Sequence, residues 1–166
     1  MTNNSHSPVH EQAHTPPNLA AIPLYMLIYR SHSLVARERT DTELAHILRG
    51  ARAKNAALDV TGALMLYDNW FAQVLEGPEQ AVLSLFERIK GDHRHNGVEV
   101  LEQGLTPTRA FQRWAMAHVG EHGNPDIPMM ATGDTVSPAA AWRPNAGQEK
   151  LLAQLRHATR GYGRGS

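Results

Sequence analysis

The stretch from Val60 to Gly77, VTGALMLYDNWFAQVLEG, constrains this chain most. Two apolar runs flank Asp68-Asn69, a pair of turn-forming residues, so the segment reads as a β-hairpin. Gly77-Pro78 then opens a helix, with proline suited to its first turn. Val82, Leu85, Phe86 and Ile89 form the core stripe of that helix, and Gly91 stands where a helix C-terminus favours glycine. Upstream, Leu24–Arg30 is a continuous apolar run with aromatics, consistent with a strand buried on both faces. Thr40 and Glu43 form a capping-box pattern, with Thr40 as N-cap. Leu44, Ile47, Leu48, Ala51 and Asn55 follow at helical spacing and predict a helix over about 41–55.

Residues 97–104, GVEVLEQG, alternate as a strand, and residues 111–120, FQRWAMAHVG, read as a last one. The order β-α-β-β-α-β-β predicts an α+β, ferredoxin-like sheet with two helices on one face. Residues 1–22, rich in Asn, Ser, His and Pro, read as a disordered tail. Residues 121–143 are loop-like, punctuated by Gly and Pro. A C-terminal helix is expected over about 146–160, capped by Asn145 with Gln148 three residues on. Its stripe of Leu151, Leu152, Leu155 and Ala158 must be buried against the free sheet face or another copy of the chain. The expected divisions are therefore a tail (1–22), a domain (23–120) and a loop-and-helix extension (121–166).

Composition narrows the function. Lys+Arg and Asp+Glu both number 16, so no bulk field draws the chain to nucleic acid or anionic lipid. There is no cysteine, which excludes disulfides, thiolate metal sites and a cysteine nucleophile and fits a cytoplasmic location. No apolar run is long enough for a membrane span, and the first residues lack the pattern of a signal peptide. Neither a Walker A pattern nor G-x-G-x-x-G after a strand is present.

Several polar residues fall where apolar ones are expected. Asn55 shares the buried stripe of the first helix with Ile47 and Ala51. It either satisfies backbone groups at the helix end or presents an amide to a ligand. Gln73 shares a strand face with Phe71 and Leu75, and Tyr29 with Tyr25 and Leu27. Each has a structural reading, a solvated face for Gln73 and a core tyrosine for Tyr29, beside a functional one. The run Asp92-His93-Arg94-His95 reads as a charged loop or as polar contacts to a ligand. Its central arginine disfavours a cation, so no metal is expected. His6, His10 and His14 in the tail are weak evidence for one. Trp114 and Met116 share one face if the last strand is regular.

Together these segments resemble the BLUF family, the blue-light sensors that use FAD. The resemblance spans about Leu24–Gly120 and rests on LIYRS (27–31), NAALDVTGALML (55–66), FAQVLEGP (71–78), RIKGDHRH (88–95) and RAFQRWAM (109–116). It implies a blue-light photoreceptor that binds FAD non-covalently and is not an enzyme. Tyr29 resembles the photoactive tyrosine, which gives an electron and a proton to the excited flavin. Gln73 resembles the switch glutamine between that tyrosine and the flavin edge, and Asn55 the asparagine bonded to the ring. Ile47 and Ile89 resemble the aliphatic pair that sandwiches the isoalloxazine. Arg94 resembles the arginine near the ring, and Asp92 and His95 the polar group around it. Trp114 and Met116 match the pair that reports the switch to the surface. Lys54 departs from the pattern, since the family commonly has Asn or His before this asparagine. With about 45 residues left after Gly120, the output implied is a downstream signalling protein or a homo-oligomer. The rival reading is a phosphatase-like or flavin-dependent enzyme on the same scaffold, with Arg94 and Asn55 recast as an anion cradle.

Overall fold

Asp68 and Asn69 take φ of 45° and 66°. Left-handed backbone at both residues of a two-residue loop matches the twist of paired strands, and Asp and Asn tolerate it better than most residues. The computed structural model, which describes residues 22–120, 126, 129–132, 135–138 and 144–160, joins β2 (Thr61–Tyr67) to β3 (Trp70–Pro78) through this turn. Tyr67 pairs with Trp70, and Gly62 with Leu75. A Cβ at Gly62 would lie 2.0 Å from the Val74 carbonyl oxygen, so only glycine fits that crossing.

β1 (Leu24–Ser33) runs antiparallel to β3, and β4 (His95–Thr106) runs antiparallel to β1 with two register shifts. A short β5 (Ala117–Val119) adds parallel to β2. The sheet order is β4-β1-β3-β2-β5. α1 (Thr40–Ala57) and α2 (Glu79–Lys90) occupy one face. There Leu48, Val82, Leu85 and Phe86 pack on Leu27, Tyr29, Leu64, Phe71 and Leu75. This is the α+β, ferredoxin-like arrangement expected from the element order.

α3 (Ala146–Arg160) resolves the open choice for its apolar stripe. Leu151, Leu152, Leu155 and Ala158 are buried with Ile28, Ala63, Met65, Ala72 and Val74, on the sheet face opposite α1 and α2. Both sheet faces are thereby covered, which explains why β3 is buried from Phe71 to Gly77 without polar alternation. The expected cap forms reciprocally: Asn145 N–H donates to Gln148 Oε1 and Gln148 N–H donates to Asn145 Oδ1, each at 2.9 Å.

Three expectations are corrected. The Thr40–Glu43 capping box does not form. A 3₁₀ turn, Arg37–Arg39, already winds the chain into α1, Arg39 takes the cap position, and Glu43 pairs with Arg39. Residues 121–143 are not all loop, since β6 (Met129–Thr132) and β7 (Thr135–Pro138) pair antiparallel. The last strand is far shorter than 111–120. Before Ala117 the chain turns instead, with Trp114 N–H donating to Phe111 O. Apart from Ile22, the tail and its histidines lie outside the described residues.

Candidate functional site

A cleft opens between α1 and α2 over the middle of the sheet. Its empty volume is about 860 Å³, part of it open to solvent. All nine residues expected to contact a cofactor line it: Tyr29, Ile47, Lys54, Asn55, Gln73, Ile89, Asp92, Arg94 and His95. They arrive from five elements and one loop, which explains their scatter along the chain.

The floor is the β1–β3 pair. Tyr29 and Gln73 are register partners. The Tyr29 hydroxyl donates to Gln73 Oε1, and Gln73 Nε2 donates to Met116 Sδ at 3.4 Å. Both side chains are buried, so each polar atom needs such a partner. Burial, with the Asp92 carboxylate adding to it, pushes the Tyr29 phenol well above its ordinary range. The phenol therefore stays protonated and acts as a donor. The Phe86 ring packs 5.2 Å from its centroid.

Asn55 is 1% exposed. Its Nδ2 donates to Ala115 O at 2.8 Å, and its backbone carbonyl accepts from Val60 N–H at 2.9 Å. It thus closes the end of α1 and also lines the cleft, so its two readings from the sequence are compatible. Ile47 on α1 and Ile89 on α2 line the walls.

At the far end, Arg94 grips Asp92 through Nε at 2.9 Å and Nη2 at 2.5 Å. That pairing holds the Asp92 carboxyl down at about 2, below its ordinary value, and the same contact raises the Arg94 guanidinium. Asp92 is therefore a carboxylate throughout the neutral range. His95 bonds Ile89 O through Nε2 at 2.6 Å and Ser31 Oγ through Nδ1 at 2.7 Å. A carbonyl only accepts, so Nε2 carries a proton. His95 is pinned between α2 and β1 and presents its ring to the cleft.

Trp114 and Met116 do not share a face. Met116 packs with the cleft-side core, whereas Trp114 packs with Phe111 in the core under α3 and donates from Nε1 to Asp126 O at 3.0 Å. Neither lines the cleft, though Met116 touches it through Gln73. The lining also includes His46, Gly50, Ala51, Leu64, Phe71, Leu85 and Arg88, none of them among the residues the sequence points to as cofactor contacts. Helical spacing points to several of them: Gly50 and His46 precede Lys54 by four and eight residues, and Leu85 precedes Ile89 by four.

The donor set fits a flavin. An isoalloxazine has an apolar plane and a polar edge. Aliphatic walls from two facing helices suit the plane, and the buried amides of Asn55 and Gln73 suit the edge.

Comparison with known proteins agrees. The family described as sensors of blue-light using FAD matches residues 24–117. The chain is 32% identical over 90 residues to the photoactivated adenylate cyclase subunit beta of Euglena longa, covering 54% of this chain and 10% of that protein. It is 33% identical over 93 residues to the blue light- and temperature-regulated antirepressor BluF of Escherichia coli K12, covering 56% and 23%. The chain thus spans less than a quarter of either relative. Among solved structures, BlsA in its photo-activated state superposes with a TM-score of 0.57 at 33% identity, covering 60% of this chain and 73% of BlsA. The BLUF protein BlrB in its dark state gives 0.54 at 32%, covering 58% and 71%. With more than half of the chain under the family's description, the protein belongs to the BLUF family of blue-light photoreceptors, which bind a flavin.

Proposed function

We propose that this chain binds FAD non-covalently in the α1–α2 cleft and reports blue light through Tyr29 and Gln73, without an enzymatic activity of its own. The observation that carries this reading is the buried chain Tyr29–Gln73–Met116 at the cleft floor. When bound, the flavin supplies absorption of blue light and, once excited, an acceptor for an electron and a proton.

The chain's residues supply the rest. Tyr29 holds its proton on Oη and aims it at Gln73 Oε1, the geometry for giving up an electron and a proton together. Gln73 carries an acceptor and a donor on one rotatable group. Turning that amide would exchange its oxygen and nitrogen: the bond with Tyr29 would reverse, the bond to the Met116 thioether, which only accepts, would be lost, and the group offered to a ring edge in the cleft would change. A changed bond at that edge would shift the absorption of a bound flavin to the red.

The change leaves the cleft through Met116. The segment 110–116 is held from both sides, by Asn55 at Ala115 O, by Arg52 Nε at Met116 O, and by Gln148 Nε2 of α3 at Ala110 O. A shift at Met116 biases this segment and the seating of α3, and a downstream protein or a second copy of the chain reads it. The phosphatase-like alternative needs an uncompensated Arg94 charge for an anion, but the Asp92 carboxylate pairs with that guanidinium. Among the described residues no helix is long and apolar enough to cross a membrane. A cytoplasmic receptor is the reading we adopt.

The test is Gln73→Leu. Flavin should remain bound while the light-induced red shift disappears. A normal shift in that variant contradicts the switch.

A further inference from the structure

Lys54, the departure from the family's pattern, does not join Asn55 at the floor. It lies on an adjacent stripe of α1, with His46 and Gly50 at i−8 and i−4, and all three line the cleft. Both His46 and Lys54 are exposed, whereas Asn55 is buried, so this stripe is the cleft's rim. Across from it, exposed Arg88 of α2 lines the same opening.

The charges at this rim are unbalanced. The lining carries Lys54, Arg88 and Arg94 against one carboxylate, Asp92, and Arg94 already grips that carboxylate. The neighbouring acids are also engaged: Glu43 with Arg39 on the α1 side, and Glu87 with Lys90 on the α2 side. Among the described residues, Lys54 and Arg88 have no acidic partner. Two cations facing one opening favour an anion between them.

Gly50 adds a separate argument. A glycine within a helix costs about 1 kcal/mol relative to alanine. Here a Cβ would meet nothing within 4 Å, so no packing against the protein itself explains the glycine. Its bare backbone puts no side chain on the rim between His46 and Lys54.

We infer that Lys54 and Arg88, with Gly50 as the gap between His46 and Lys54, form a phosphate subsite that selects a phosphorylated flavin over riboflavin. The inference rests on the flavin reading of the cleft and extends it from the ring to the tail. FAD and FMN both bring phosphate to this rim, whereas riboflavin brings only hydroxyls. A lysine at position 54 thereby contributes to the tail what it withholds from the ring edge.

The experiment is titration of the flavin-free full chain with FAD, FMN and riboflavin, comparing wild type with Lys54→Gln/Arg88→Gln. Wild type should bind FAD and FMN at least tenfold more tightly than riboflavin, and added salt should narrow the gap. The double variant should lose most of that preference by weakening FAD and FMN more than riboflavin, and its thermal unfolding midpoint should match wild type, which shows that its fold is intact. Equal weakening for all three flavins, or an unchanged preference, overturns the subsite and leaves the flavin reading standing. Failure of wild type to bind any flavin overturns both.

Discussion

Tyr29 and Gln73 face each other across the β1–β3 ladder, and the phenol of one donates to the side-chain oxygen of the other. Backbone pairing fixes their separation, so the contact does not depend on a mobile loop. Gln73 in turn donates to Met116 Sδ. Those two contacts define the orientation of the amide in this structure.

Tyr29→Phe removes the donor and keeps the ring. The variant should fold and bind flavin, at a stability cost of about 1 kcal/mol for the lost hydrogen bond. Its light-minus-dark difference spectrum should show no red shift. A wild-type difference spectrum from this variant contradicts the role of the phenol.

Met116→Leu conserves volume, and such core exchanges usually cost less than about 1.5 kcal/mol. It removes the sulfur that accepts from Gln73 Nε2. The amide then has less to favour its original orientation. Return from the illuminated state should slow by a few-fold, followed as the decay of the shifted absorption band. An unchanged recovery rate contradicts the contact's part in the switch.

Glu76 is a buried carboxylate outside the cleft, 1% exposed. It accepts from Ala110 N–H at 2.8 Å and Phe111 N–H at 2.9 Å, and so clasps the start of the segment that ends at Met116. Burial raises its pKa from the ordinary 4.5, outweighing those two bonds and the nearby Arg109. A raised folded-state pKa means that its contribution is largest below about 4.5 and is lost as pH rises through the folded value. Glu76→Gln offers one acceptor oxygen where two are used, so it should destabilise by about 1–3 kcal/mol. Urea unfolding at pH 4 and pH 7 should show the larger gap between wild type and variant at pH 4. A gap that widens toward pH 7 contradicts the sign.

Gly62→Ala tests the sheet itself. The new methyl would meet the Val74 carbonyl oxygen at 2.0 Å, and that oxygen belongs to the central strand. Overpacking against backbone should cost about 1–3 kcal/mol. Thermal unfolding checks this, and a melting temperature equal to wild type contradicts the close crossing.

Much of the fold is legible in the sequence because local signals agree with tertiary packing. Asp68-Asn69 supplies the left-handed turn, the Asn145–Gln148 box starts α3, and the stripes of α2 and α3 meet opposite faces of one sheet. The site's floor and walls follow from strand alternation and helical spacing around Tyr29, Gln73, Ile47 and Ile89. The segment 111–116 is not legible. Its apolar residues suggest a strand, yet its backbone is claimed by the Glu76 carboxylate, by Asn55 and by Arg52, none of them close in sequence. Trp114 and Met116 then go to opposite sides of the sheet. The α1 cap misleads for a similar reason, because Arg39 takes Glu43 before Thr40 can. The cleft's rim is hidden because His46, Gly50 and Lys54 resemble any solvated helix face until Arg88 of α2 is set across from them.

The most direct test is the absorption spectrum of the purified chain with FAD, before and after blue light and through return in the dark. A yellow protein whose flavin band shifts to the red and returns in the dark is the result predicted from the Tyr29–Gln73–Met116 arrangement. A protein that takes up no flavin, or whose flavin bleaches without a reversible shift, contradicts it.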